Sequence, residues 1–507
     1  MRDREFKTLA RMLSESVISA AGMLFGLVMS YVLLGILTRT LSVEDFGVYG
    51  VLVSMLEMTI VVVLCGLPQA IDRYTALYNA RSEPGKVRSL VVGSLVVMVA
   101  LGGVGYAAVA LAAMPIARAF LGGPDRAAAL ILFSVSFPAA LLLRVALAVF
   151  VGFKQVRFFV LVDRVLIPSL KMLLGIAALA MGYGLLGWLG AYSAAMIVGL
   201  AATFGLLRVR MWPYLRVSAR RPIPIREILD FAWPLMLVNA TAFIAKDVPV
   251  LWLGRTGDIA SAGFLRLYLQ IAGLFLLVLS ALSRIHLPVI TELLSQKKGE
   301  EARRTHRRIS KWGFVVGIYG AGAFLVLGSE FIAILFTPAY AASFGALLIL
   351  CLGALTRLSC GPCHAVLRAM GATRMNLLSA LVGAVALGVT GAFAIPRLGT
   401  LGASLAIALS WMTQDAVAAW QAFRRGGFSP IGSTHGRVVV LGVGMSGLFL
   451  ALRDFARLDG EIWMALLGVG FTILFWSGAL LWGVVDRVDR ELVMSLLRRR
   501  PPSPDAT

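Results

Sequence analysis

The side chains in this 507-residue sequence best placed to do chemistry are ionisable groups inside apolar stretches. They are the bases Arg144, Arg164, Lys171, Lys246, Arg266 and Arg357, and the acids Glu57, Asp163, Asp247 and Asp415. A charge at the centre of a membrane helix costs on the order of 2.5–3.5 kcal/mol on insertion scales, so such a group usually faces water or a partner. Six bases along one path would suit an anionic cargo, such as a phosphate or pyrophosphate headgroup. Glu57, Asp247 and Asp415 are the candidates for coupling to H⁺ or Na⁺, because an ion biases a conformational equilibrium only by binding one state better. The competing assignment for each residue is snorkelling or a structural ion pair. Asp163 adjoins Arg164 and Lys246 adjoins Asp247, but i,i+1 neighbours point apart on a helix, so local pairing is expected to be poor.

Other motifs carry less. Cys360-Gly361-Pro362-Cys363 has the letters of a thioredoxin active site, and His364 completes a haem-attachment string. Thioredoxin chemistry needs an accessible low-pKa thiolate at a helix start after a strand, whereas this tetrad ends an apolar helix, so packing cysteines are expected. Gly442-Val443-Gly444-Met445-Ser446-Gly447 spells a dinucleotide fingerprint without the preceding strand that the motif requires; glycines within a span more often let helices approach. The four histidines, His286, His306, His364 and His435, lack metal-ligand spacing. No catalytic, cofactor or metal residues are assigned.

The elements that must position the charges follow from composition. Hydrophobic residues make up 59% and charged residues 14%, against roughly 45–50% and about 25% in soluble domains. That excludes a soluble enzyme, a disordered scaffold and a nucleic-acid-binding domain. Apolar runs near the ~20 residues that cross a bilayer fall at about 14–37, 46–68, 89–113, 127–151, 158–181, 185–207, 228–252, 259–284, 312–335, 342–366, 376–396, 400–423, 437–453 and 462–485. The expected fold is an all-α integral membrane protein with about 14 transmembrane helices. The first run lacks a signal-peptide cleavage pattern and should stay as a span. The four cysteines, with Cys65 and Cys351 completing the set, all lie in apolar stretches and imply no disulfide framework.

The net charge is +21, and its distribution sets topology. With the amino terminus inside, inner tails and loops hold 34 of the 47 Lys and Arg, outer loops hold seven, and six lie within spans. This asymmetry places both termini in the cytoplasm. The inner stretch from His286 to Lys311 reads as an amphipathic surface helix or a solvated connector. Arg39, Thr40 and Gly47 recur as Arg255, Thr256 and Gly263 at an offset of 216, and Leu67-Pro68 recurs as Leu287-Pro288 at 220. Both Leu-Pro pairs are expected to end equivalent helices. The repeat predicts two six-helix lobes related by pseudo-two-fold symmetry: residues 1–207 and 228–423, joined by a cytoplasmic linker at 208–227. Two further helices occupy 424–485, and a cytoplasmic tail 486–507.

Several stretches resemble one family. Leu37 to Tyr49 is similar to the connection between the first two helices of bacterial polysaccharide flippases, and Cys65 to Tyr74 to the end of their second helix. Phe336 to Tyr340, Leu367 to Gly371 and Ile395 to Ala403 resemble their carboxy-terminal half. The chain thus resembles the polysaccharide and O-antigen transporters of the multidrug/oligosaccharidyl-lipid/polysaccharide exporter superfamily. The resemblance implies a bacterial inner-membrane protein that moves undecaprenyl-pyrophosphate-linked oligosaccharide from the inner to the outer leaflet by alternating access. It implies membrane lipid, a polysaccharide polymerase and a chain-length regulator as partners, and no nucleic acid. The charge reading adds a cationic central cavity. A cation-coupled multidrug exporter of the same superfamily is the alternative, and a membrane glycosyltransferase or polymerase a third reading; no enzyme activity is expected.

Overall fold

The computed structural model of the chain describes residues 2–216, 221–456, 461–486 and 489. The expected tail at 486–507 lies almost wholly outside the described residues, as does 217–220 of the expected linker. The described residues form helices and short helical turns. In lipid a helix satisfies its own backbone polar groups, which is why runs of this length take no other form. Eleven helices among the described residues are long and apolar enough to cross a membrane. The chain is a multi-pass membrane protein.

Three further predicted spans are helical as well, at 156–180, 225–255 and 400–426. They are the more polar ones: they carry Asp163, Arg164 and Lys171; Asp230, Lys246 and Asp247; and Gln414 with Asp415. The expected connector at His286 to Lys311 is instead divided between two long helices, Ile259–Ser295 and Gly299–Leu335. Ala302, His306 and Ser310 bury the inner face of its amphipathic part, at the four-residue spacing of one helix face.

Two compact units emerge, residues 1–267 and 268–507. In the first, the helix Val43–Leu64 is capped by the Ser42 hydroxyl, which accepts from the Asp45 backbone N–H at 3.0 Å. It ends at Cys65 and Gly66, both at positive φ. Leu67-Pro68 therefore opens a new helix, Leu67–Ala80, where proline's missing N–H costs nothing; Leu287-Pro288 lies inside Ile259–Ser295. The Leu-Pro repeat does not mark equivalent helix ends. The glycine repeat does coincide in space: a Cβ on Gly263 would come within 3.1 Å of the Gly47 nitrogen, so the two helices cross where neither residue has a side chain.

The fifth predicted span is interrupted by a π-helical turn, Leu161–Leu166, just before Pro168. In a regular α-helix the Pro168 ring would collide with the carbonyl of Arg164 four residues back; the wider turn relieves that clash. The amino-terminal helix Arg2–Thr40 packs here, with Gly26 so close that a Cβ would lie 3.0 Å from the Arg164 carbonyl oxygen.

In the second unit, Thr373–Leu398 and Thr400–Gly426 pair as an antiparallel hairpin, and Phe344–Cys360 packs on the latter. Gly361 and Pro362 separate Phe344–Cys360 from the short helix Pro362–Ala369. The helices Thr434–Ala456 and Glu461–Leu481 cover Gly299–Leu335 through a core containing Val326, Phe449, Phe471 and Phe475. Gly442 admits Ile318 at that contact, which gives the glycine-rich string a packing role.

Candidate functional site

The first unit gathers most of the sequence-predicted charges from five helical segments. Glu57 lies on Val43–Leu64, Arg144 on Ser136–Gly152, Lys171 on Ile167–Ala180, Lys246 and Asp247 on Ile225–Arg255, and Arg266 near the start of Ile259–Ser295. Lys171 is within electrostatic reach of Glu57, Asp163 and Arg144, and Lys246 of Arg266, Asp247 and Glu57. Four bases, Arg144, Lys171, Lys246 and Arg266, and three acids, Glu57, Asp163 and Asp247, interact in this region, which leaves the bases in excess.

Its members are held differently. Asp247 is fully buried and accepts from Arg266 Nη1 at 3.1 Å and from the Ser54 hydroxyl at 2.9 Å. Gly50, one turn before Ser54, leaves room for the Arg266 stem, which a Cβ there would meet at 3.2 Å. Arg144 is 49% exposed and reaches Glu57 at 3.4 Å, a loose contact. Lys171 stands over the Tyr192 ring at 3.5 Å, with Tyr49 and Trp188 stacked edge-on beside it. An ammonium is attracted to the face of an aromatic ring. Among the described residues Lys246 makes no ion pair within 4.0 Å.

Arg164 departs from expectation. Its Nε sits 3.1 Å from Asp163 Oδ2, so these sequence neighbours do pair. The residues lie in the π turn, which spreads one turn over more residues and so reduces the angle between neighbours; the flexible arginine stem closes the rest.

Arg357 belongs to the second unit, where it donates to Gln414 Oε1 at 3.3 Å and lies 5.6 Å from the centre of the Trp411 ring. The next residue, Asp415, is 1% exposed. Its Oδ1 lies 2.9 Å from His364 Nε2, and His364 Nδ1 lies 2.6 Å from Asn376 Oδ1. A second imidazole pair, His286 and His306, stacks at 3.4 Å between nitrogens, with Cys363 Sγ 3.6 Å from His306. Burial pushes His286 down to about 4, so it is neutral near pH 7. No group of His, Cys, Asp and Glu among the described residues is arranged to hold a metal ion, and the four cysteines are free thiols.

The sequence reading missed Ser54, Tyr49, Tyr192, His364, Asn376 and Gln414. Two signals were available. Pro168 inside a span foretold a distorted turn at Arg164, and His364 is a polar residue one turn past the break at Gly361-Pro362. The remaining partners are distant in sequence and become neighbours only on folding.

A family model described as "Polysaccharide biosynthesis protein" matches residues 13–294, more than half of the chain. No curated protein sequence matches it. Several solved structures share its fold. An inward-facing multidrug resistance MATE family transporter of the MOP superfamily aligns with a TM-score of 0.68 at 17% identity, over 81% of this chain and 97% of the other. The lipid II flippase MurJ, in an inward closed conformation, aligns with a TM-score of 0.69 at 12% identity, over 93% and 99%. An outward-facing MATE transporter gives 0.58 at 18%, over 81% and 95%. At these identities the likeness establishes the fold.

Proposed function

The chain belongs to the polysaccharide biosynthesis protein family, and on that premise we propose that it is a flippase for undecaprenyl-pyrophosphate-linked oligosaccharide. In this reading it carries the cargo from the inner to the outer leaflet of the bacterial cytoplasmic membrane by alternating access. The observation that carries the reading is the positive surplus gathered in the first unit. Lys171 stands over an aromatic face, Lys246 has no carboxylate partner at ion-pair distance among the described residues, and Arg144 is loosely held and half exposed. These three are the bases least tightly held by carboxylates, and in this reading they meet the pyrophosphate. Arg164 and Arg266 are engaged by Asp163 and Asp247, and serve by keeping the region's net charge positive. Arg357, beside Gln414 and Trp411, is the later station on the path. Several moderate contacts suit a carrier that must also release its cargo.

Fourteen helices in two six-helix lobes, residues 1–207 and 228–423, with two added helices at 424–485 and both termini cytoplasmic, complete the proposal. The eleven apolar helices, the three polar ones and the meeting of Gly47 with its repeat partner Gly263 support it. A polymerase and a chain-length regulator are the partners that such a cargo calls for. H⁺ or Na⁺ coupling falls to Asp415 before Glu57 or Asp247, since each of the latter two faces an arginine. The fold shared with MATE multidrug transporters favours a cation-coupled multidrug exporter as the second reading; the basic surplus speaks for the anionic cargo.

The test is reconstitution of the full chain in liposomes with a fluorescent undecaprenyl-pyrophosphate oligosaccharide, scoring its arrival in the opposite leaflet. Transfer well above protein-free liposomes is expected. No transfer of that lipid, together with export of cationic dyes, would replace this reading with the second one.

A further inference from the structure

We infer that His364 and Asp415, oriented by Asn376, form a proton-binding site in the second unit that ties proton uptake and release to its conformational change. The inference rests on the transporter reading above and names the ion and the residues.

The hydrogen-bond geometry counts the protons. Asn376 Nδ2 donates to the His364 backbone carbonyl at 3.3 Å, which fixes Oδ1 as the amide atom facing the ring. His364 Nδ1, 2.6 Å from that oxygen, must therefore be the donor. A neutral ring then has only a lone pair at Nε2, and Nε2 lies 2.9 Å from Asp415 Oδ1. An ionised carboxylate there would set lone pair against lone pair. A contact this short requires a proton between them, as imidazolium with carboxylate or as imidazole with carboxylic acid. In either form the pair holds one proton more than neutral histidine plus aspartate, and its net charge is zero.

Burial makes that proton consequential. Asp415 is 1% exposed and its Oδ2 has no partner among the described residues. Loss of the proton would leave a bare negative charge in an apolar setting, which is strongly unfavourable. The packing described here thus belongs to the protonated pair, and release calls for a conformation that admits water or a cation to Asp415. Differential affinity of this kind is what lets an ion gradient bias two conformations.

Among the described residues, the surrounding groups do not supply a substitute cation. From Phe344–Cys360 come Cys360, a thiol that feels the Asp415 charge, and Arg357, which is turned to Gln414. From Gly299–Leu335 comes His306, engaged by Cys363 and His286. Cys363 feels the Asp415 charge too, and Arg368 and Arg374 are exposed at the surface. Arg424 and Arg425 lie in the last turn of Asp415's own helix.

The experiment is an infrared difference titration of the purified full chain in nanodiscs, without substrate, comparing wild type with Asp415→Asn and His364→Gln. Wild type is expected to show carboxyl and imidazole bands titrating together, and both variants to lose the coupled change and one proton of uptake per chain. Both replacements preserve side-chain size closely, and either one that folds decides the matter. Unchanged uptake in a folded variant would overturn the inference. Because no cargo is involved, that failure is distinct from failure of the flippase reading. If the wild-type chain does move the fluorescent lipid, an imposed pH gradient should accelerate it, and Asp415→Asn should lose that acceleration. Equal acceleration in the variant would also overturn the proposal.

Discussion

Asp247 in the first unit and Asp415 in the second are both buried carboxylates with one oxygen that has no partner among the described residues, yet they are held in opposite ways. Asp247 faces Arg266, a cation that cannot shed its proton. Asp415 faces His364, a base that can. The first arrangement is fixed in charge and supports a standing positive surplus around it. The second changes charge with one proton. On the function proposed above, the fixed charge serves the anionic cargo and the switchable one the ion gradient, and they belong to separate units.

The widest separation between the two sites should come from deleting each carboxylate. Asp247→Ala leaves Arg266 charged and unpaired in a mostly buried position, a loss of about 3–5 kcal/mol. Asp415→Ala leaves an imidazole that becomes neutral by releasing its proton, so the loss should be nearer the ~1–3 kcal/mol of one orphaned hydrogen-bonding group. Thermal unfolding of both variants in the same detergent measures the gap. Equal losses would erase the distinction between a fixed and a switchable partner.

Arg144 sharpens the comparison from the wet side. Its contact with Glu57 is 3.4 Å and half exposed, so Arg144→Gln should change stability by less than about 1 kcal/mol while slowing lipid transfer several-fold. A large stability loss with normal transfer would make it a structural pair like Arg266.

The smallest effect concerns His286, an imidazole without a carboxylate. Its folded-state value of about 4 lies below the ordinary 6.5, so the unfolded chain binds the proton first as pH falls. Stability contributed by the neutral ring is complete above about pH 6.5 and is lost on acidification toward 4. His286→Gln should flatten the fall in Tm between pH 7 and 5, and should leave the proton uptake of His364 and Asp415 unchanged.

Much of this was legible in the residues. Apolar runs located the helices, because in a bilayer length and hydropathy leave little choice of structure. The charges that cluster in the first unit were visible as expensive exceptions within those runs. Their pairings were not: Ser54 and Asp247 are 193 positions apart, and no local rule joins them. The pairing of Asp163 with Arg164 was misjudged because regular α-helical geometry was assumed where Pro168 imposes a π turn. His364 was set aside with its cysteine neighbours, since its value depends on Asp415, 51 positions onward and on another helix.

The claim at the centre is that the loosely held bases of the first unit recognise the anionic head of the cargo. Neutralising Arg144, Lys171 and Lys246 together to Gln removes that surplus and leaves the Asp247–Arg266 pair in place. Transfer of the fluorescent undecaprenyl-pyrophosphate oligosaccharide by this triple variant, in liposomes and at wild-type Tm, is the most direct measurement. The account predicts a fall of at least about tenfold, the equivalent of ~1.4 kcal/mol or more in binding the moving headgroup. Transfer at the wild-type rate would contradict it.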